Sequence, residues 1–221
     1  NSTIDERGSL SIGEFEGMQD YEEQLDVAGV EVYLRSIKSG DEVLLVLTGG
    51  EPISGAVLKI LSSIQEATLN VLYVCPDRSM ISQVEKRDDK IAFNVLQQYA
   101  RSGVINNLFL VDKPTIESMV GDVSISDYER SLCHLISYTV AMINYFQHTE
   151  PILKNGVAPM PWVRISSFGV SSLEDNHNLQ MMFPLEDIAD LHFYYGFPEQ
   201  DLNSDPTLMK RIKQHTRNYQ D

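Results

Sequence analysis

Apolar and polar positions change period along the chain, which predicts strands and helices in alternation. Three short apolar runs are typical of strands buried on both faces, and they occupy residues 42–47, 69–74 and 107–111. Apolar residues at helical spacing predict helices over 21–39, 56–65 and 86–100. Strands that alternate with helices over short links indicate a parallel sheet with flanking helices, so the expected fold class is α/β.

The pattern changes in the second half of the chain. Ser126-Asp127 is a predicted cap for a long amphipathic helix that runs to about residue 148. A proline-rich passage over 150–161 follows this helix and indicates a domain boundary near residue 150. Beyond it, the sequence predicts strands over 162–170 and 191–195 and a final helix over 206–215.

A glycine-rich turn after the first apolar run carries the main candidate chemistry. Residues 49–55 read Gly-Gly-Glu-Pro-Ile-Ser-Gly. The glycines let the backbone turn sharply at the carboxyl end of the strand, where open α/β sheets bind ligands. Such a turn before a helix is a candidate phosphate cradle, because free N–H groups and the helix dipole converge there. Similar turns also serve as plain connectors, and both interpretations stay open.

Charge and composition exclude several function classes. The chain has 32 acidic and 17 basic residues among 221, a formal charge of −15. This balance argues against binding to nucleic acid or to an anionic membrane, both of which need clustered Lys and Arg. Cys75 and Cys133 have no ligand spacing, so we expect a reduced, cytoplasmic compartment. No apolar stretch approaches the length of a membrane span, and the histidine spacing predicts no metal site.

Four segments carry a more specific pattern: residues 25–50, 100–112, 127–146 and 190–212. The first ends in Asp-Glu-Val-Leu-Leu-Val-Leu-Thr-Gly-Gly, and the last begins with Asp-Leu-His-Phe-Tyr-Tyr-Gly. In this order, over nearly the whole chain, they resemble the tubulin/FtsZ family of filament-forming GTPases. The resemblance places the glycine turn at a phosphate loop of the family and residues 127–146 at its central helix. It also implies that the family's first phosphate loop precedes Asn1.

The resemblance implies a set of ligands and site residues. Gly49, Gly50, Ser54 and Gly55 match the phosphate loop and would contact GTP, with Mg²⁺ as the accompanying ion. Arg87 corresponds to an arginine that touches phosphate in the family, although a charged first helical turn is commonly just solvated. Self-association or binding to a protein partner is the expected interaction.

The turn departs from the family pattern G-G-G-T-G-[ST]-G at three positions. Pro52 removes a backbone N–H donor, and Ile53 disfavours the positive φ that a glycine adopts cheaply. Glu51 adds a carboxylate that would repel a triphosphate unless a metal ion bridged the two. The sequence therefore predicts a degenerate phosphate loop.

The base-binding and catalytic positions of the family depart further. Leu132 and Cys133 stand where the family has an Asn–Asp pair that recognises the base, and neither hydrogen-bonds guanine well. Pro159 and Trp162 align with the aspartates that polarise the hydrolytic water, and residues 151–173 contain no acidic side chain. We therefore assign no catalytic residue, and whether the chain is an enzyme stays open, with GTP hydrolysis the expected reaction if it is.

These expectations combine into a domain plan and three functions. The plan has a partial nucleotide-binding-like α/β domain over 1–125, a linking helix over 126–150 and a partial activation-like α+β domain over 151–221. The first function is a tubulin/FtsZ-like cytoskeletal or assembly protein with a degenerate GTP site. The alternatives are an active GTP-hydrolysing filament protein whose first phosphate loop lies outside this chain, and an unrelated Rossmann-like small-molecule enzyme.

Overall fold

The computed structural model of the protein describes residues 3–4, 10–12, 14–64, 66–152, 162–174 and 179–219. The chain divides into two compact units. The first comprises residues 1–114 and 164–166, and the second comprises residues 115–163 and 167–221. The first unit contains the main sheet. The second contains a 20-residue helix over Tyr128–Gln147.

A four-stranded parallel sheet organises the first unit. It is preceded in the sequence by a separate antiparallel pair of short strands, β1 (Thr3–Ile4) and β2 (Leu10–Ser11). Its strands follow the spatial order β3 (Glu42–Thr48), β4 (Thr68–Cys75), β5 (Asn107–Asp112) and β6 (Ile165–Ser167). The register aligns Val43 with Leu69 and Val71 with Leu108. With helices flanking this sheet, the α/β fold class is confirmed.

The helices of the first unit connect these strands: α1 (Met18–Gln24), α2 (Val27–Leu34), a 3-10 helix (Pro52–Ala56), α3 (Val57–Ser62) and α4 (Gln83–Ser102). The ends of α4 follow from local sequence. Ser82 and Glu85 form a reciprocal capping box at its start. Gly103 ends it with φ of 83°, a left-handed conformation that glycine adopts without a steric penalty.

The second unit holds most of α5 (Lys113–Val120), followed by α6 (Tyr128–Gln147), β7 (Gly169–Ser171), β8 (Leu179–Met181), α7 (Glu199–Ser204) and α8 (Leu208–Arg217). β7 and β8 pair in antiparallel fashion. The buried side chains of this unit include Leu132, Phe168, Met182, Leu208 and His215. None of the helices in the described ranges is long and apolar enough to cross a membrane.

The core of the first unit lies on the two central strands. Val71, Leu72 and Tyr73 in β4 are at most 1% exposed. Leu108, Leu110 and Val111 in β5 and Ala92, Leu96 and Ala100 in α4 are also buried. These α4 positions recur at helical spacing, so one face of the helix is apolar and buried.

The predicted burial of the first strand on both faces is wrong. β3 ends the strand order of its sheet, and its residues alternate between half-buried and exposed. Leu44 and Val46 are 41% and 56% exposed, whereas Val43, Leu45 and Leu47 are half-buried. A continuous apolar run marks a strand, but it does not show whether a second layer covers the outer face.

The predicted helix over 21–39 is instead the pair α1 and α2, with a break at Leu25. Asp26 caps α2 by accepting a hydrogen bond of 3.0 Å from the Gly29 backbone N–H. A short polar side chain that bonds its neighbouring backbone competes with helix continuation, which explains the interruption.

Two predictions for the second half also need correction. The stripe along α6 has only Leu132 and Thr139 buried, while Leu135 and Ile136 are half-buried, so the stripe is covered less widely than its composition suggests. Residues 191–195 are described and adopt no strand. Their aromatic side chains pack around His215 instead, as the ring contacts of Phe193 and Tyr195 show.

Candidate functional site

The glycine turn lies at the carboxyl end of β3, as predicted, and it is closely packed against α4. Gly49 N–H donates to the Val74 carbonyl at 2.9 Å, which extends the pairing between β3 and β4 past the strand. A β-carbon on Gly49 would collide with Asp89 Oδ1 and the Tyr73 hydroxyl and would lie 2.9 Å from Pro76 Cδ. The space left by the missing side chain is therefore occupied by the protein's own polar groups.

Asp89 is the centre of these polar groups. It is fully buried, and its Oδ1 accepts a 2.8 Å hydrogen bond from the Tyr73 hydroxyl. Its Oδ2 accepts bonds of 3.0 and 2.9 Å from Nε and Nη2 of Arg78, whose side chain is 61% exposed. The fork of the guanidinium and the phenol together satisfy a carboxylate that would be costly to bury alone.

Tyr73 is held in its protonated form. Burial raises the pKa of its hydroxyl well above the ordinary value, and the negative charge of Asp89 raises it further. The pKa of the adjacent thiol, Cys75, is raised to about 12 by burial and by the charges of Asp89 and Asp112. Tyr73 is therefore a permanent donor to Asp89, and Cys75 is an unreactive thiol at neutral pH.

Gly50 adopts a backbone conformation that favours glycine. Its φ of 79° lies in the left-handed region, which is strained for other residues. A β-carbon there would lie 3.4 Å from the Glu85 carbonyl oxygen of α4. The residue is required by the turn itself, so its presence is explained without a ligand.

Ser54 and Gly55 are buried beside a cavity of the first unit. Both belong to the 3-10 helix that follows the turn, and both line a cavity of about 230 Å³. A β-carbon on Gly55 would overlap the backbone carbonyl of Met18 in α1, so glycine is needed there for close packing. Of the four residues that match the family's phosphate loop, two line this cavity, and the other two contact α4 residues that are not part of its lining.

Arg87 is positioned away from the glycine turn. Glu85 and Asp89, one helical turn apart, are the α4 residues that lie against Gly50 and Gly49. Two residues along a helix rotate a side chain by about 200°, which places Arg87 on the opposite face of α4. Its side chain is 69% exposed and contacts Asp88 Oδ1 at 3.1 Å. Among these α4 residues, the structure brings carboxylate Asp89, and not Arg87, to the turn.

The segment that aligns with the family's catalytic loop, and for which no catalytic residue was predicted, is described only in part. Pro159 lies outside the described residues, whereas Trp162 is 74% exposed. Arg164, which follows it, is part of the sheet edge: its carbonyl accepts a 2.8 Å hydrogen bond from Leu108 N–H. Over the described ranges, His, Cys, Asp and Glu form no group of three that could hold a metal ion.

The second unit contains a polar cluster that the sequence analysis did not find. His215 is 1% exposed, and its Nε2 lies 2.7 Å from Ser171 Oγ while its Nδ1 lies 2.8 Å from the Tyr195 hydroxyl. The Ser–His distance resembles that of a nucleophile and its base, but the third group is a phenol instead of a carboxylate. Phe193 and Tyr219 pack their rings against the imidazole. The arrangement joins β7 to α8 as a hydrogen-bonded core histidine.

A spacing of 44 residues separates Ser171 from His215, so sequence pattern alone gave no signal for this pair.

With the geometry of both units established, the chain was compared with models of protein families, with curated proteins and with solved structures, and no match was found. The functional conclusion therefore depends on the residues themselves.

Proposed function

We propose that this protein is a tubulin/FtsZ-like cytoskeletal or assembly protein whose nucleotide site is degenerate. The order of elements supports this proposal. A strand, a glycine turn and a short helix precede a second strand, α4 and a third strand in one parallel sheet, and the 20-residue helix α6 follows. This is the order that the family resemblance implies for the region after its first phosphate loop.

The observation that carries the degenerate site is the contact of Asp89 with Gly49. A phosphate cradle needs free backbone N–H groups and space for an anion. Here the N–H of Gly49 already bonds the Val74 carbonyl, and the adjoining space holds a carboxylate. Glu51 adds a second acidic side chain within the turn. Two carboxylates at this position disfavour a triphosphate, even though Arg78 neutralises part of the charge.

Hydrolysis is disfavoured for a second reason. In-line attack on a phosphate needs a group that positions water, and residues 151–173 supply no carboxylate. Under this proposal, phosphate release from GTP stays at the background rate at every protein concentration, because the same segment of a neighbouring copy brings no acidic group either.

The assembly role is supported by the outer face of β3. Leu44 and Val46 are large apolar residues, they are exposed, and they lie on a strand at the end of its sheet. Exposed apolar groups on a terminal strand mark a surface for pairing with another chain unless charges protect them. A second copy of this chain is the partner that the family resemblance implies.

Sedimentation velocity at increasing protein concentration, without nucleotide, tests this role. Wild type should associate. Val46→Asp should weaken association by at least about tenfold, because burying the new carboxylate at the interface should cost at least about 1.4 kcal/mol of association free energy. Val104→Asp is the matched control, because Val104 is 54% exposed and precedes β5 outside the proposed surface. A wild-type protein that stays monomeric at high concentration would rule out self-assembly, and equal loss in both variants would rule out β3 as the surface.

A further inference from the structure

We propose that the cavity beside the 3-10 helix is a binding site for a small, neutral, mainly apolar molecule about the size of indole, which hydrogen-bonds to Ser54. This inference is independent of self-assembly and of nucleotide binding. The cavity lies within the first unit, where residues from α1, β3, the 3-10 helix, α3, β4 and α4 form its wall.

The wall of the cavity is predominantly apolar. Its aliphatic part consists of Leu47, Val57, Ile91, Ala92, Val95 and Leu96. The thioether chain of Met18 lines it from α1, and the ring of Tyr73 lines it from β4. Methionine adapts its shape to different ligands at low cost, and sulfur packs favourably against aromatic rings. The composition fits an aromatic guest better than a sugar or a phosphate.

Ser54 is the polar feature that makes this more than a packing gap. The residue is 3% exposed, and its hydroxyl has no hydrogen-bond partner among the described residues. A buried hydroxyl without a partner is unfavourable, whereas most buried polar groups in native proteins are satisfied. A ligand with one N–H, hydroxyl or carbonyl group would supply the partner that the protein lacks.

The size and charge of the site limit the ligand class. An apolar cavity of about 150 Å³ accommodates benzene, so about 230 Å³ suits a bicyclic ring or a substituted single ring. Glu22 lies at the wall and is exposed to solvent, and the whole chain carries a formal charge of −15. An anionic ligand such as a fatty acid would be repelled, and burying a cation against this predominantly apolar wall would be costly, which leaves a neutral compound.

Titration calorimetry with indole and indene tests the site. The two compounds have nearly the same shape, but only indole has an N–H that Ser54 Oγ can accept. Wild type should bind indole saturably and bind indene about two- to tenfold more weakly, the worth of one neutral hydrogen bond. In Ser54→Ala the preference for indole should disappear, while the melting temperature of the ligand-free protein stays the same or rises, because an unsatisfied hydroxyl has been removed.

A substitution that fills the cavity tests whether the ligand binds there. Ala92→Leu adds three carbon atoms to the wall and should abolish binding of both compounds, with circular dichroism confirming that the protein is folded. Absence of saturable binding of either compound to wild type would overturn the proposal. Equal affinity of wild type for indole and indene would overturn the role of Ser54. Unchanged binding in a folded Ala92→Leu protein would place the ligand elsewhere and overturn the site.

Discussion

Gly49 and Asp89 lie so close that a β-carbon on Gly49 would collide with the carboxylate oxygen Oδ1 of Asp89. The glycine ends the first sheet strand, and the aspartate is on the face of α4 that packs against it. The contact joins a turn and a helix through a fully buried carboxylate that Tyr73 and Arg78 satisfy. Stability at this position therefore depends on the absence of a side chain.

Replacing Gly49 by Ala should lower the free energy of unfolding by about 1–3 kcal/mol, the usual cost of overpacking a filled site. The added carbon would displace Asp89 or the Tyr73 hydroxyl from the hydrogen bond of 2.8 Å between them. Urea denaturation measures the change. Gly17→Ala is the control, because the nearest atom to its β-carbon would be the mobile carboxylate end of Asp20 at 3.2 Å. Equal losses in both variants would mean that Gly49 is not specifically packed.

The two thiols should react at very different rates in the folded protein. Cys133 is exposed, whereas Cys75 is buried and burial raises its pKa to about 12. The thiolate is the reactive form, so a thiol reagent at neutral pH should modify one cysteine quickly and the second only after unfolding. Mass spectrometry of the labelled peptides identifies the site. Rapid labelling of Cys75 in the native state would contradict its described burial.

Alkaline pH should destabilise the protein through Cys75. An unfolded thiol loses its proton near pH 8.5, whereas the folded thiol keeps it until about pH 12, so the folded state binds more protons in between. The free energy of unfolding then falls as pH rises, by up to about 1.4 kcal/mol per pH unit. Between pH 8.5 and 9.5, Cys75→Ala should flatten this decline and Cys133→Ala should not. Identical slopes in the two variants would refute the assignment.

Tyr73 should add to the same decline at higher pH. Its raised pKa means that the unfolded phenol ionises from about pH 10 while the folded phenol remains protonated. Its contribution is therefore present in full below pH 10 and is lost as pH rises above that value.

Two leucines of α6 should differ in their importance. Leu132 is buried, whereas Leu135 is half-buried. Leu132→Ala should cost about 2–4 kcal/mol of unfolding free energy, and Leu135→Ala about half as much, because it removes less apolar area from a covered surface. Thermal unfolding of the two variants measures the ratio. A larger loss at Leu135 would mean that the wider stripe expected from the sequence is covered after all.

The succession of strands and helices along most of the first unit was predictable, because the formation of each element depends on local sequence. Apolar runs and helical spacing located β3, β4, α4 and β5 to within a few residues, since period and capping residues are local properties. The exposure of one face of β3 was not predictable from the sequence. It depends on the position of β3 at the end of the sheet, and that position depends on which strands pair. The predicted strand over 191–195 failed because its aromatic residues pack around a histidine distant in sequence.

The candidate site shows the same limit more sharply. The sequence indicated that the glycines of the turn matter, and the positive φ of Gly50 agrees with this. It could not indicate what fills the space beside Gly49, because Asp89 belongs to a helix beyond the next strand. Nor could the sequence show that Ser54 lines a cavity, because the burial of its hydroxyl without a hydrogen-bond partner is a property of the folded chain.

Binding of a fluorescent GTP analogue in the presence of Mg²⁺ tests the degenerate site most directly. We expect no saturable binding at millimolar nucleotide and no change in melting temperature, because the carboxylate of Asp89 occupies the space beside Gly49. A nucleotide at a hundred times its dissociation constant would add about 2.7 kcal/mol to stability, an effect that thermal unfolding readily detects. Saturable binding that unlabelled GTP displaces, together with a rise in melting temperature, would contradict the account.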